Sequence, residues 1–122
     1  MAMDRQSLGR AAEEAAAAHL AGQGLEILLR NYRCRLGEID IVASEAPDVL
    51  VIAEVRLRSR RDYGGGAASV DCGKQRRIQQ AARHLLMTRP ALSRLRGRYD
   101  VLDLEPASAG YEIRWIRGAF GS

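Results

Sequence analysis

The sequence predicts a single-domain α/β protein: a mixed five-stranded sheet flanked by helices, with its elements in the order αβββαββ. Two stretches near residues 7–22 and 71–88 place small or apolar side chains at helical spacing. Shorter apolar runs, typical of strands, lie between and after them. The length of 122 residues suits one domain spanning 1–122 with a core of its own.

The composition is that of a folded soluble protein, with 47% hydrophobic and 28% charged residues. The net charge of +4 permits an anionic partner without identifying one. Lys74 is the only lysine among the 19 basic residues. Cys34 and Cys72 lack the spacing of a metal site, which predicts reduced thiols in a cytoplasmic protein. No apolar segment approaches the length of a membrane span.

The first helix is predicted over residues 7–22, because this segment is rich in alanine and ends at a glycine. Glu13 lies on its small and apolar stripe, so we expect this side chain to point toward the sheet. Glu14 follows Arg10 by four residues, a spacing that suits a surface ion pair. A solvated position at the helix edge remains the alternative for Glu13.

The first three strands are predicted at residues 25–33, 38–43 and 49–57. After them comes a basic segment with Arg58, Arg60 and Arg61, and then a triple glycine at 64–66 that indicates a mobile loop or a plain connector. The second helix covers residues 71–88 and ends before a proline. Two closing strands, at 98–104 and 111–117, surround a connector at 105–110.

Two of these strands carry a carboxylate inside an apolar run, where a charge is costly unless a partner or a metal neutralises it. Asp40 and Glu54 lie equally far on either side of Pro47, in a polar turn. In an antiparallel hairpin they therefore face each other, with Cβ atoms roughly 5 Å apart. Arg56 shares their face. This arrangement predicts a site for Mg²⁺ or Mn²⁺ beside a cation, as a metal-dependent phosphodiesterase requires.

Asp48 offers a competing carboxylate, because Pro47-Asp48 followed by Glu54-Val55-Arg56 resembles a nuclease PD…ExK motif. Asp48, however, begins the same strand that carries Glu54. Six strand residues span roughly 20 Å, too far for one metal site. We therefore interpret Asp48 as a turn residue.

The order of elements resembles that of the restriction-endonuclease-like nucleases, and the residues resemble those of the YraN-like family of small bacterial proteins within them. The resemblance runs nearly end to end, and archaeal Holliday-junction resolvases are similar more distantly. It is carried by Gly9 with Glu13, Leu28-Leu29-Arg30-Asn31-Tyr32-Arg33, Gly37-Glu38-Ile39-Asp40, Glu54-Val55-Arg56-Leu57-Arg58, Val70 with Lys74 and Arg77, and Arg98-Tyr99-Asp100-Val101.

The resemblance implies a role for each matching position. Asp40 and Glu54 would hold the metal with the backbone carbonyl of Val55, and Glu13 would approach it directly or through water. Arg56 stands where the motif usually has lysine; it can bind phosphate, but it cannot act as a general base. Lys74 and Gln75 would face the phosphate from the second helix, and the basic surface for nucleic acid would comprise Arg58, Arg60, Arg61, Lys74, Gln75 and Arg77.

The resemblance further implies a DNA substrate, branched DNA included, and by analogy with the resolvases a homodimer. Two alternatives remain open. The first is a catalytically silent module that binds DNA through the basic surface. The second is a purely structural cluster in which Arg56 neutralises Asp40 and Glu54 without a metal, although buried pairs of this kind seldom add net stability.

Overall fold

The computed structural model describes residues 5–58 and 70–121, with side chains from residue 8 onward. Its elements in chain order are α1 (Arg5–Gly22), β1 (Glu26–Cys34), β2 (Gly37–Glu45), β3 (Val49–Leu57), α2 (Cys72–Thr88), a short 3₁₀ helix (Pro90–Arg94), β4 (Arg96–Ala107) and β5 (Gly110–Phe120). The predicted mixed α/β fold and its element order are confirmed. The 3₁₀ helix was not predicted; it starts at Pro90, whose fixed φ suits a first helical position.

The five strands form one sheet in the order β1-β2-β3-β4-β5. Neighbouring strands are antiparallel except β3 and β4, which are parallel and joined through α2. The connector predicted at 105–110 is shorter than expected, because β4 continues through Pro106, which is paired with Tyr111. The actual turn consists of Ser108 and Ala109, followed by Gly110 at a φ of 110°. Neither helix of the described residues is long and apolar enough to cross a bilayer.

Each face of the sheet buries its own apolar cluster. On the α1 face, small helix residues let the helix lie close to the strands, and the buried set is Ala12, Ala16, Ala17, Leu20, Leu25, Ile41, Ala43, Val51, Ala53, Leu102 and Leu104. On the α2 face the buried set is Ile39, Val42, Leu50, Ile52, Ile78, Ala81, Ala82, Leu85 and Tyr99. The sheet is therefore covered on both faces, as the long apolar runs in its strands indicated.

The hairpin of β2 and β3 has the predicted register. Its pairs run from Glu45 with Val49 to Ile41 with Ala53, all centred on Pro47. Asp48 lies at the turn end, where its carboxylate forms an ion pair with Arg96 at 3.1 Å. This placement keeps Asp48 six residues away from Glu54 along an extended strand, as the sequence argument required.

The side-chain alternation of β2 breaks at Asp40. Ile39 belongs to the cluster on the α2 face, whereas Ile41, two residues later, belongs to the cluster on the α1 face. In a regular strand residues two apart share a face. The backbone therefore rotates between the two isoleucines, at the position where the regular ladder with β3 ends.

Gly37, at the start of β2, fixes how closely the β1–β2 turn approaches α2. A Cβ at this position would lie 2.2 Å from the backbone oxygen of Arg77. We expect Gly37→Ala to lower the free energy of unfolding by about 2 kcal/mol, because backbone must move to remove this overlap. Urea unfolding monitored by circular dichroism measures the change.

The matched control is Gly97→Ala in β4, where an added Cβ meets no atom within 4 Å. This substitution is expected to change the stability by less than about 0.5 kcal/mol. Equal losses of stability in the two variants would show that the close approach of Gly37 to Arg77 is not the cause.

Candidate functional site

The Asp40 carboxylate is held by the backbone of β3. Its Oδ2 accepts a hydrogen bond from the Val55 N–H at 2.8 Å. A side-chain oxygen thus takes an N–H that a backbone carbonyl would accept in a regular ladder, which accounts for the break in β2. Asp40 is thereby fixed next to Glu54, the residue that precedes Val55.

Glu54 is only 8% exposed and lies on the α2 face. Its Oε2 is 3.3 Å from the Nζ of Lys74, which comes from the first turn of α2. That turn is fixed by Asp71, whose side chain caps the helix by accepting a hydrogen bond from the Lys74 backbone N–H at 2.8 Å. The sequence placed Arg56 beside the carboxylates; the structure adds Lys74 in contact with Glu54.

The surroundings of Asp40 oppose its ionisation. Burial, a hydrogen bond to Glu54 and the negative charge of Glu54 raise the pKa of Asp40 from 3.8 to about 8. The hydrogen bond from Val55 and the charge of Lys74 act in the opposite direction without cancelling this rise. Near neutral pH the pair therefore carries less than its full negative charge unless a further cation is supplied.

Glu13 of α1 approaches the same place from the other helix. Burial, followed by the charge of Asp40, raises the pKa of Glu13, while a hydrogen bond to Asn31 lowers it. The Oε1 atom of Glu13 is buried and has no hydrogen-bond partner. Glu14, by contrast, is exposed and pairs with Arg30 at 3.1 Å. The inward position predicted for Glu13 and the surface position predicted for Glu14 are both confirmed.

The fit of these groups to a divalent cation rests on Asp40 and Glu54. Among the described residues, no three carboxylate, imidazole or thiolate groups lie close enough to form a complete metal site. Mg²⁺ and Mn²⁺ nevertheless bind to one or two carboxylates, with water in the other positions. Asp40 and Glu54 are two such oxygen donors side by side, and a bound cation would favour the ionised form of Asp40. The unsatisfied oxygen of Glu13 suits a water between it and the ion.

Arg56 lies with Glu54 and Lys74 around one small cavity. The cavity has a volume of about 230 Å³ and is lined by Glu54, Val55, Arg56, Val70, Asp71 and Lys74. Two cations and one carboxylate of the predicted site thus share this concave surface. Glu54 and Arg56 line the same cavity because residues two apart in a strand lie on the same face of the sheet.

The residues predicted to bind nucleic acid are distributed unevenly. Arg77 is exposed on α2 near Lys74, whereas Gln75 donates its side-chain amide to the Val70 carbonyl at 2.7 Å and so supports the helix start. Arg58 pairs with Asp103 at 3.5 Å, and its side chain is only 22% exposed. Arg60, Arg61 and the triple glycine at 64–66 lie outside the described residues.

Asp103 is a buried acidic residue that the sequence analysis did not single out. It is 6% exposed, its Oδ1 has no hydrogen-bond partner, and its register partner on β3 is Arg56. It therefore adds a second carboxylate to the face that holds Glu54. The sequence pattern that could have identified Asp103 is the one that identified Asp40, a charged residue inside an apolar run. Asp103 lies between Leu102 and Leu104.

The α1 face of the sheet contains a second charged cluster, centred on Asp100, which is fully buried. Both carboxylate oxygens accept from Arg98, at 2.9 Å each. They also accept from the Trp115 indole at 2.9 Å and from the Gly118 N–H at 3.0 Å. Arg98 in turn donates to Glu45 at 2.8 Å. We call these five residues the Asp100 network; it links β2, β4 and β5, and its acceptors are saturated.

The fold and site define a small mixed α/β protein with two adjacent carboxyl groups, Asp40 and Glu54, where the regular pairing of β2 with β3 ends. A lysine from the following helix contacts Glu54. The model of a family described as "Uncharacterised protein family UPF0102" matches residues 12–104, a range that contains Glu13, Asp40, Glu54 and Lys74. The chain belongs to this family, which confirms the family part of the resemblance.

Relatives with similar sequences come from several bacteria. A UPF0102 protein of Cupriavidus taiwanensis is 49% identical over 117 residues, covering 95% of this chain and 84% of the relative. A UPF0102 protein of Alcanivorax borkumensis is 45% identical over 119 residues, covering 97% and 94%. One of Methylococcus capsulatus is 44% identical over 115 residues, covering 94% and 91%. The similarity thus extends over almost the full length of both chains.

Proposed function

We propose that this protein is a metal-dependent nuclease that hydrolyses phosphodiester bonds of DNA, on a fold of the restriction-endonuclease-like type. The observation that carries the proposal is the pairing of Asp40 with Glu54 beside Lys74. Two carboxylates that resist joint ionisation favour a divalent cation, and the adjacent ammonium group favours a phosphate.

Asp40 and Glu54 would hold Mg²⁺ or Mn²⁺, together with the carbonyl of Val55 and, through water, Glu13. The bound ion would supply Lewis acidity toward the phosphate and an activated water. The chain supplies the positioning: the Val55 N–H orients Asp40, and the α2 cap orients Lys74.

Arg56 and Lys74 act on the phosphate rather than on the water. An arginine side chain is protonated at all physiological pH values, so Arg56 binds a phosphate oxygen and takes no proton. Lys74 adds a second positive charge across the same cavity. Together they stabilise the negative charge that increases on the phosphate as a new P–O bond forms.

Substitution of Glu54 tests the proposal. We expect Glu54→Gln to reduce cleavage by at least about 100-fold, because it removes one anionic ligand and retains the side-chain shape. The assay uses linear duplex, single-stranded and four-way-junction DNA with Mg²⁺ or Mn²⁺, and products are resolved on denaturing gels. Glu26→Gln, an exposed position at the far end of β1, is the matched control and is expected to cleave like the unaltered protein.

The same experiments distinguish the alternatives. Calorimetric titration with Mn²⁺ should show binding to the unaltered protein and a large loss of affinity in Asp40→Asn. Salt-sensitive DNA binding without cleavage of any substrate would contradict the enzyme and select a silent binding module. Absence of both metal and DNA binding would select the structural role, for which the Lys74–Glu54 ion pair at 3.3 Å would be sufficient.

A further inference from the structure

A second concave surface lies beside the carboxylate pair, between the β1–β2 turn and the first turns of α2. It has a volume of about 420 Å³, and four cationic side chains line it: Arg33, Arg35, Lys74 and Arg77. Glu38 is the acidic residue of its lining. We call this cavity the hairpin cavity, after the hairpin of β1 and β2 and not that of β2 and β3. Its lining contributes four positive charges and one negative charge.

The hairpin cavity is part of the rigid fold, because its two walls are in direct backbone contact. Gly37 of the turn approaches the Arg77 carbonyl so closely that no Cβ fits between them. Ile78, which lines the cavity floor, is 3% exposed and belongs to the core on the α2 face. The cations are thus presented by a fixed frame rather than by a flexible segment.

The internal compensation of this charge is weak. Glu38 forms an ion pair with Arg33 at 3.3 Å, and the two side chains are 63% and 75% exposed. An exposed pair of this kind contributes little to stability, so an incoming anion can replace Glu38 at little cost. Arg35 and Arg77 are exposed as well. Because Lys74 is paired with Glu54, the four cations less Glu38 and Glu54 leave a net charge of two for a ligand.

The hairpin cavity is adjacent to the carboxylate site, because both share Lys74. This residue lines the hairpin cavity and also the smaller cavity that contains Glu54 and Arg56. A ligand that follows the positive charge from one cavity to the other therefore carries repeated negative charges, as the backbone of a nucleic acid does.

The turn also presents an apolar side chain at its tip. Leu36 is 51% exposed. Among the described residues, the other large hydrophobic side chains that are exposed are Leu8 and Met87. It follows Arg35 directly and borders the hairpin cavity. Proteins that bind DNA in the minor groove frequently insert apolar side chains, leucine among them, between neighbouring bases.

We propose that the hairpin cavity binds a phosphate of the DNA strand next to the one placed at Arg56 and Lys74, with Leu36 in contact with the adjoining base. The proposal rests on the nuclease function proposed above and extends it to substrate positioning. Arg33 and Arg35 make the new phosphate contact, and Lys74 connects the two phosphate positions. None of these three residues needs to move far, because the turn is fixed on α2 by Gly37.

The test measures DNA affinity as a function of salt concentration by fluorescence anisotropy, with a labelled single strand and Ca²⁺ in place of Mg²⁺. For Arg33→Ala/Arg35→Ala we expect about a tenfold weaker Kd. The slope of log K against log salt should fall by about 0.7 for each lost phosphate contact. Leu36→Ala should weaken binding and leave the slope unchanged. The control is Arg89→Ala/Arg94→Ala, which removes equal charge from two exposed arginines at the two ends of the 3₁₀ helix.

Equal effects of the two double variants would overturn the proposal, because they would show that only net charge matters. So would competition by polyglutamate as effective as competition by DNA, which would point to an acidic peptide. An unchanged slope in Arg33→Ala/Arg35→Ala, with cleavage by the unaltered protein intact, would overturn the hairpin contact alone. Loss of cleavage in Glu54→Gln with normal binding leaves this proposal standing, so the failures of the two proposals can be separated.

Discussion

Replacing Asp100 with alanine is expected to lower the free energy of unfolding by about 3–5 kcal/mol. Asp100 is fully buried and accepts four hydrogen bonds from Arg98, Trp115 and Gly118. Its removal leaves the Trp115 and Gly118 N–H groups without an acceptor and Arg98 with Glu45 as its remaining carboxylate. The hydrogen bond with Asp100 also raises the pKa of Arg98. Arg98 stays charged without this bond as well, because an arginine in a protein effectively keeps its proton.

Thermal and urea unfolding followed by Trp115 fluorescence would measure this loss. The matched control is Asp48→Ala, which removes an aspartate of similar size from an exposed ion pair with Arg96. That substitution should cost less than about 1 kcal/mol. Asp100→Asn should fall between the two, because an amide keeps the shape and loses the charge. A loss for Asp100→Ala no larger than for Asp48→Ala would mean that the Asp100 network contributes little to stability.

Asp40→Asn is expected to stabilise the metal-free protein, by an amount that depends on pH. The folded state holds a proton on Asp40 up to about pH 8, whereas the unfolded chain releases it above 3.8. In the unaltered protein, the stabilisation that protonated Asp40 provides is therefore complete below pH 3.8 and is lost as the pH rises through about 8. Asparagine has no proton to lose, so above pH 8 the variant should be more stable by up to about 6 kcal/mol.

Melting temperatures measured across this pH range in the presence of a chelator would test the prediction. The gain of Asp40→Asn over the unaltered protein should vanish near pH 4, and Asp48→Asn at the exposed turn should show no such dependence. Adding Mn²⁺ should stabilise the unaltered protein and not the variant, because only the former retains both carboxylates. A gain that is independent of pH would contradict the raised pKa of Asp40, which burial and then Glu54 cause.

The sequence was sufficient to predict the hairpin and its carboxylate pair, because these depend on local information. Asp40 and Glu54 lie in one turn-connected unit, so the position of Pro47 determined their pairing, and the strand rise excluded Asp48. The inward orientation of Glu13 followed from helical periodicity in the same way. Each of these inferences required no knowledge of which strands are neighbours in the sheet.

The remaining features depend on the tertiary arrangement. The Asp100 network joins residues up to 73 positions apart, from Glu45 to Gly118, through the parallel pairing of β3 with β4, which no local pattern specifies. The break of β2 at Asp40 depends on a side chain competing with the backbone for the Val55 N–H. The hairpin cavity depends on Gly37 meeting α2, residues that lie far apart in the chain.

The two carboxylate clusters lie on opposite faces of the sheet and almost directly behind each other, since Asp100 is registered with Ala53 and Glu54 with Val101. The Asp100 network carries permanent countercharge within the chain. The carboxylate pair is accompanied by Lys74, whose side chain is 49% exposed, and by Arg56 on the same cavity. Ionic conditions will therefore act more strongly on the face of the sheet that holds the carboxylate pair than on the face that holds the Asp100 network, where Asp100 is fully buried.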